Sequence, residues 1–289
     1  MNLLDKFLAK RSAGANSEGE MSFVDHIEAL RWHIVRALVA IIVCTIGVFI
    51  NIEWIFDKVI LGPASSDFIS YKWLCSLGKL LHIDVLCMDA VNVQFQNTQL
   101  TGQFMMSFSS SFLIGFIVAF PYVFWEIWKF VKPALKENEL KHTKGIVFWA
   151  SSLFLIGVLF SYFIIAPFTI SFFASYQLSP EFDNIITIAN YYDTMSDLIL
   201  GMGVVFELPI LVYILAKAGI LTAEFMRDKR RYAIVIIMLL AAVITPPDWF
   251  SIFLVAIPLV GLYEASIVVT ARLNKQRKEL DAKNEVLPW

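Results

Sequence analysis

The sequence predicts an all-α, polytopic membrane protein of six transmembrane helices. Both termini are expected in the cytoplasm, and a short final helical hairpin leaves the bundle concave. Three observations carry that prediction. Hydrophobic residues make up 58% of the chain, against about 45–50% in soluble domains, and the mean hydropathy is +0.69. Apolar stretches recur at lengths that fit the ~30 Å hydrocarbon core of a bilayer. Of the 23 Lys and Arg residues, only Lys58, Lys72 and Lys79 fall on one side of the predicted membrane, and the side rich in basic residues is cytoplasmic. Catalytic patterns such as H-E-x-x-H, G-x-S-x-G or a phosphate-binding G-x-x-x-x-G-K-[ST] do not occur. His26, His33, His82 and His142 read as loop or span-edge residues, so neither an enzyme nor a metal or other cofactor is expected.

In order, residues 1–20 form a polar cytoplasmic tail, 21–273 the membrane domain and 274–289 a second polar cytoplasmic tail. No apolar run of the signal-peptide kind precedes the first span, so no cleavage is expected. Residues 21–33 read as an amphipathic helix on the membrane surface, with Phe23, Ile27, Leu30 and Ile34 at helical spacing. The first span follows over 34–52, with Arg36 near enough to its start to snorkel. Residues 51–101 read as a long polar loop. The second span covers 104–125 and the third 146–168. Between the third and the fourth, over 198–215, lies an acidic loop without Lys or Arg.

The last pair is unusual. Only residues 232–244 separate Arg231 from Thr245, about 20 Å of helix, before a Pro246-Pro247 corner and a sixth span over 250–271. Residues 232–271 therefore read as a stunted hairpin that leaves one side of the bundle thin. Asp248 beside the corner reads as a cap on the sixth helix. Glu126, between Trp125 and Trp128, reads as an interface residue in an aromatic belt. Glu264 has two readings, a cap on the hairpin or a partner for the last basic loop.

The fourth span carries the least expected residue. Glu207 stands in the middle of an apolar run, two residues before Pro209. A charge at mid-depth costs roughly 3 kcal/mol or more, and Pro209 removes a helix hydrogen bond whose freed carbonyl needs another partner. Either a neighbouring helix of the same chain satisfies Glu207, or the carboxyl is a docking point for a second protein.

Five stretches together resemble the TatC family, the multispanning subunit of the twin-arginine protein translocase. They are His26–Arg31 (HIEALR), Pro133-Ala134-Leu135 with Glu139, Phe206-Glu207-Leu208-Pro209, Thr245–Asp248 with Phe250-Ser251, and Ala256-Ile257-Pro258 with Tyr263-Glu264. Phe160, Tyr162 and Pro167 also fit, and the resemblance spans about residues 21–273. The family reads H-L-x-E-L-R, so its carboxylate position is Ala29 here, with Glu28 one place earlier and rotated by about 100° around a helix.

The resemblance implies a bacterial cytoplasmic (inner) membrane protein that recognises the twin-arginine signal peptides of folded substrates. It also implies export with single-span TatA- and TatB-type partners, driven by the proton-motive force, and self-association in a complex with no nucleic acid involved. Carboxylates suit such a signal because their pairing with Arg is bidentate and charge-assisted. Glu139 is the first candidate, with Glu28, Glu137 and Arg31 beside it in role. Glu137 and Glu139 also read as a solvated helix face, Glu137 pairing with Lys141. The basic residues around them suit anionic lipid heads. Partner-helix docking falls to Glu207 with Phe206 and Pro209, and the structural corner on the outer side to Pro246, Pro247 and Asp248. Cys75 and Cys87, on the side assigned as oxidising, are a possible disulfide, while Cys44 in the first span is expected to stay a thiol. A competing class is a proton-coupled secondary transporter using Glu207. Against it stand the lack of a repeated span-four pattern and of a second deep carboxylate.

Overall fold

The computed structural model of the chain describes residues 23–82, 94–132, 145–179, 181, 184–246 and 249–285. Its first helix, α1 (Phe23–Ile50), runs unbroken where a surface helix followed by a separate span was expected. The stretch Ala29–Arg36 holds no Gly or Pro, and extending a helix already nucleated costs little.

The described parts of the segment expected as a polar loop over 51–101 are structured. They hold α2 (Ile52–Ile55), a π-helical turn (Phe56–Ile60), a 3-10 turn (Gly62–Ala64), α3 (Ile69–Leu81) and the strand β1 (Phe95–Gln96). Tyrosines fasten them. The hydroxyl of Tyr162 donates to the Val59 carbonyl at 2.8 Å, that of Tyr191 to Ile60 at 2.6 Å and that of Tyr71 to Pro63 at 2.8 Å. These carbonyls lie where the chain turns too irregularly to pair them within itself, and unpaired buried carbonyls are costly. Burial pushes the Tyr71 hydroxyl up to about 12, so it stays a donor over the physiological range.

Two further helices cross the fold: α4 (Gly102–Val131), then α5 (Ile146–Phe160), which continues through a π-helical turn (Ser161–Ile165) into α6 (Ala166–Ser175). The strand β2 (Ile186–Thr187) pairs in parallel with β1, Phe95 opposite Ile186. Helix α7 (Ile188–Val205) starts ten residues before the expected fourth span, within what was read as an acidic loop. The Asn190 N–H donates to the Thr187 hydroxyl oxygen at 3.3 Å and caps it. Then follow α8 (Leu208–Lys217), α9 (Ala223–Asp228), α10 (Arg230–Ile244) and α11 (Trp249–Glu285).

Among the described residues, five stretches are long and apolar enough to cross a membrane: Ile27–Ile50, Gly102–Val131, Ile146–Ser175, Ile188–Lys217 and Ser251–Gln276. The fifth predicted span, α10, has 15 residues and reaches only about 22 Å against ~30 Å of hydrocarbon.

One core lies between α4, α5 and α7 with the outer turns, built on Met106, Phe120, Phe154, Met195 and Ile60. A second joins α7 to α10 and α11 through Leu198, Met202, Ile237, Ala241, Val255 and Leu259. Gly157 allows α5 and α7 to touch, since a Cβ there would stand 2.7 Å from the Met202 carbonyl oxygen and 2.8 Å from the Phe206 ring. Helix α1 is peripheral, with only 11% of its most apolar stretch buried. It rests on α4 through Ile41, Ala119 and Val123.

Candidate functional site

Glu207 sits at the joint between α7 and α8. The Glu207 N–H reaches back only three residues, to Val204 at 3.1 Å, while the N–H groups of Ile210 and Leu211 both donate to the Glu207 carbonyl at 3.0 Å. Pro209, the second residue of α8, has no N–H for the carbonyl four residues earlier, and the helix divides there. Phe206 beside it is 5% exposed and packs on Phe160, ring centroids 5.9 Å apart. Both Glu207 carboxylate oxygens are buried and make no hydrogen bond among the described residues. The backbone of Phe154 lies close enough to act on the carboxyl. A buried carboxyl without a partner loses its hydration and gains nothing in exchange, so among the described residues the site is incomplete.

The other polar cluster lies where α1 meets α4. Glu126, expected to be no more than an interface residue, is 1% exposed. Its carboxylate accepts from His33 Nδ1 at 2.6 Å and from Lys129 Nζ at 3.5 Å, with Arg36 Nη1 at 3.9 Å. His33 is therefore inside the continuous helix α1, and bonded. Glu126 is near the end of α4 and Glu207 is in the interior of its span, so Glu207 stays the one deep carboxylate among the described residues. Lys129 Nζ stands 3.2 Å over the Trp125 ring.

Glu28 and Arg31 fall five and two residues before His33, at the same end of α1. Both are exposed, and Arg31 lies 5.7 Å over the Trp32 ring. Ala29, half-buried and one turn before His33, shares the face turned to α4. Glu28 shares a face with the exposed Trp32 instead, so it does not occupy the place of a carboxylate at position 29. Glu137 and Glu139 lie outside the described residues, between the end of α4 and the start of α5. The chain leaves α4 for them at the end that holds Glu126.

At the hairpin, the Arg230 guanidinium donates to Glu264 at 2.6 Å, which selects the basic-loop reading of Glu264. The Tyr263 hydroxyl adds a bond to the Met226 carbonyl at 2.7 Å. Pro246 follows Thr245, whose hydroxyl donates back to the Ala241 carbonyl at 2.9 Å. Pro247 and Asp248 lie outside the described residues. Cys75 is disulfide-bonded and Cys44 is a free thiol; Cys87, the expected partner of Cys75, lies outside the described residues. Among the described residues no group of three or more His, Cys, Asp or Glu is placed to hold a metal.

Comparison with known proteins gives a consistent result. The family described as Sec-independent protein translocase protein (TatC) matches residues 25–258. The TatC protein of Blattabacterium sp. subsp. Periplaneta americana is 39% identical over 264 residues, covering 91% of this chain and 99% of that protein. That of Helicobacter pylori strain 26695 is 41% identical over 175 residues, 61% of this chain and 69% of its own length. Among solved structures, the crystal structure of the twin arginine translocase receptor TatC in DDM superposes with a TM-score of 0.68 at 26% identity. It covers 85% of this chain and 99% of that one.

Proposed function

The chain belongs to the TatC family of Sec-independent protein translocase proteins, and from that premise we propose that it receives twin-arginine signal peptides and exports folded proteins. Export uses the proton-motive force and single-span partners of the TatA and TatB type. The observation that carries this reading is Glu207, a buried carboxyl with both oxygens unpaired among the described residues, at a break in a membrane helix. A polar group on a partner helix completes it, and the short α10 leaves the neighbouring wall low enough for such a helix to approach.

Signal recognition belongs to the opposite charge problem. Two adjacent Arg side chains need carboxylates at the cytoplasmic end, and Glu139 supplies one, with Glu137, Glu28 and Arg31 at the same end. On this reading α10 is a sixth, short span. The odd-numbered spans then run outward, and both termini are cytoplasmic. A cysteine introduced at Asn138 is expected to react with an impermeant maleimide only after the membrane is opened, and one at Asn184 in intact cells. Labelling of Asn138 in intact cells would reverse the orientation.

Co-purification separates the translocase from a proton-coupled transporter built on Glu207. The translocase reading expects small single-span proteins to accompany the chain from mild detergent. Their absence, together with solute uptake by liposomes holding the chain alone, would support the transporter.

A further inference from the structure

We propose that the Glu126 cluster is a binding site for the headgroup of an anionic phospholipid, whose acyl chains lie along the exposed faces of α1 and α4. This goes beyond the translocase reading and needs only the membrane setting.

The cluster holds more positive charge than its own anion can match. One buried carboxylate, 1% exposed, gathers His33, Arg36 and Lys129 within 4 Å. The side chains of Arg36 and Lys129 remain 55% and 37% exposed. A guanidinium has five N–H donors and an ammonium three, far more than one carboxylate accepts. Glu126 thus gathers the two cations at one point and leaves them a surplus of donors and at least one net positive charge. That combination suits a phosphodiester, and it disfavours a further cation such as an incoming Arg.

The surface beneath the cations is that of a lipid and not of a soluble anion. On α4, Lys129 heads a column of Trp125, Tyr122 and Val118 at helical spacing, with exposures of 41%, 38% and 61%. On α1, Arg36 heads Val39 and Val43, at 54% and 63%. From Lys129 to Val118 the helix descends about 16 Å, close to the ~15 Å depth of one leaflet's hydrocarbon. Charge on top, aromatic rings next and aliphatic side chains below reproduce the order of a phospholipid from head to tail. The sparse burial of α1 leaves room for the chains beside it.

Simple electrostatics and a built site predict opposite signs for one substitution. Each cation near an anionic surface is worth about fivefold in binding. Removing the negative charge at Glu126 should therefore raise affinity for an anionic lipid if only net charge matters. If Glu126 holds the cations in place, Glu126→Gln lowers affinity although the protein becomes more positive.

The test is native mass spectrometry of the full chain in detergent, with dioleoylphosphatidylglycerol or dioleoylphosphatidylcholine added. The expected result is selective retention of phosphatidylglycerol, reduced about fivefold in Arg36→Gln and also reduced in Glu126→Gln. Arg227→Gln, on α9, should leave it unchanged. Millimolar inorganic phosphate should not displace the lipid. Retention in Glu126→Gln equal to or above that of the parent overturns the proposal, as does an equal loss in Arg227→Gln. Displacement by phosphate alone would assign the cluster to a free anion. Should Glu126→Gln not fold, Arg36→Gln decides, because its side chain is half-exposed, and unchanged retention there is equally fatal.

Discussion

Glu207→Ala is expected to block export while the protein still inserts and still binds signal peptide. The carboxyl is buried and makes no hydrogen bond among the described residues, so alanine removes no bond seen there. The substitution should leave thermal stability unchanged or slightly raised, since a desolvated polar group disappears. What it removes is the group offered to a partner helix. A hydrogen bond to a charged group contributes roughly 1.5–3 kcal/mol, about ten- to a hundred-fold in association. Glu207→Gln keeps hydrogen-bonding capacity without the charge and is expected to retain part of both association and export.

Site-specific crosslinking to co-expressed single-span proteins reads this directly. Val204 and Leu211, 57% and 53% exposed, flank the joint and can carry the probe, whereas Met202 is fully buried and cannot. Crosslinks and export that survive Glu207→Ala undiminished would reduce the carboxyl to a packing residue.

Glu139→Gln carries the second large effect. Glu139 lies in sequence between α4 and α5, on the side where arriving signals are expected. Loss of one partner from a charge-assisted pair is expected to weaken signal binding about ten- to a hundred-fold, and Glu139→Lys to abolish it by like-charge repulsion. Insertion and partner association should persist. Unchanged affinity in both variants would move the site, with Glu28 next because it is exposed at the same end. The Glu126 carboxylate is a poor substitute, being sealed by His33, Lys129 and Arg36.

The spans were legible because apolar runs of that length have few other uses, and the short α10 because its limits are marked by Arg231 and Thr245-Pro246-Pro247. Its partner in the expected stunted hairpin, α11, instead runs 37 residues and on into the stretch read as a polar tail. The joint at Glu207 was legible too, from a carboxylate and a proline in one apolar run. What the sequence concealed depends on contacts between distant residues. Glu126 reads as a belt residue until His33, 93 positions earlier, arrives opposite it. The outer segment 51–101 looks like a polar loop because its fastening is made by tyrosine hydroxyls on α3, α7 and the turn after α5. Those hydroxyls bond to main-chain carbonyls that leave no trace in residue type. The continuity of α1 was missed for a third reason. Amphipathic patterning over 21–33 marks which face is polar but does not say where a helix stops, and no stop signal is present.

The central claim is that this chain is a receptor for twin-arginine signals. Photocrosslinking between the purified protein in detergent and a signal peptide with a probe beside its two arginines tests it most directly. The account predicts a crosslink at the cytoplasmic end, within 133–144 or the first turns of α1. It should be lost when the peptide's arginine pair is replaced by two lysines, which cannot form the same bidentate pairs. Crosslinking that is indifferent to that replacement, or confined to the α7–α8 joint, would contradict it.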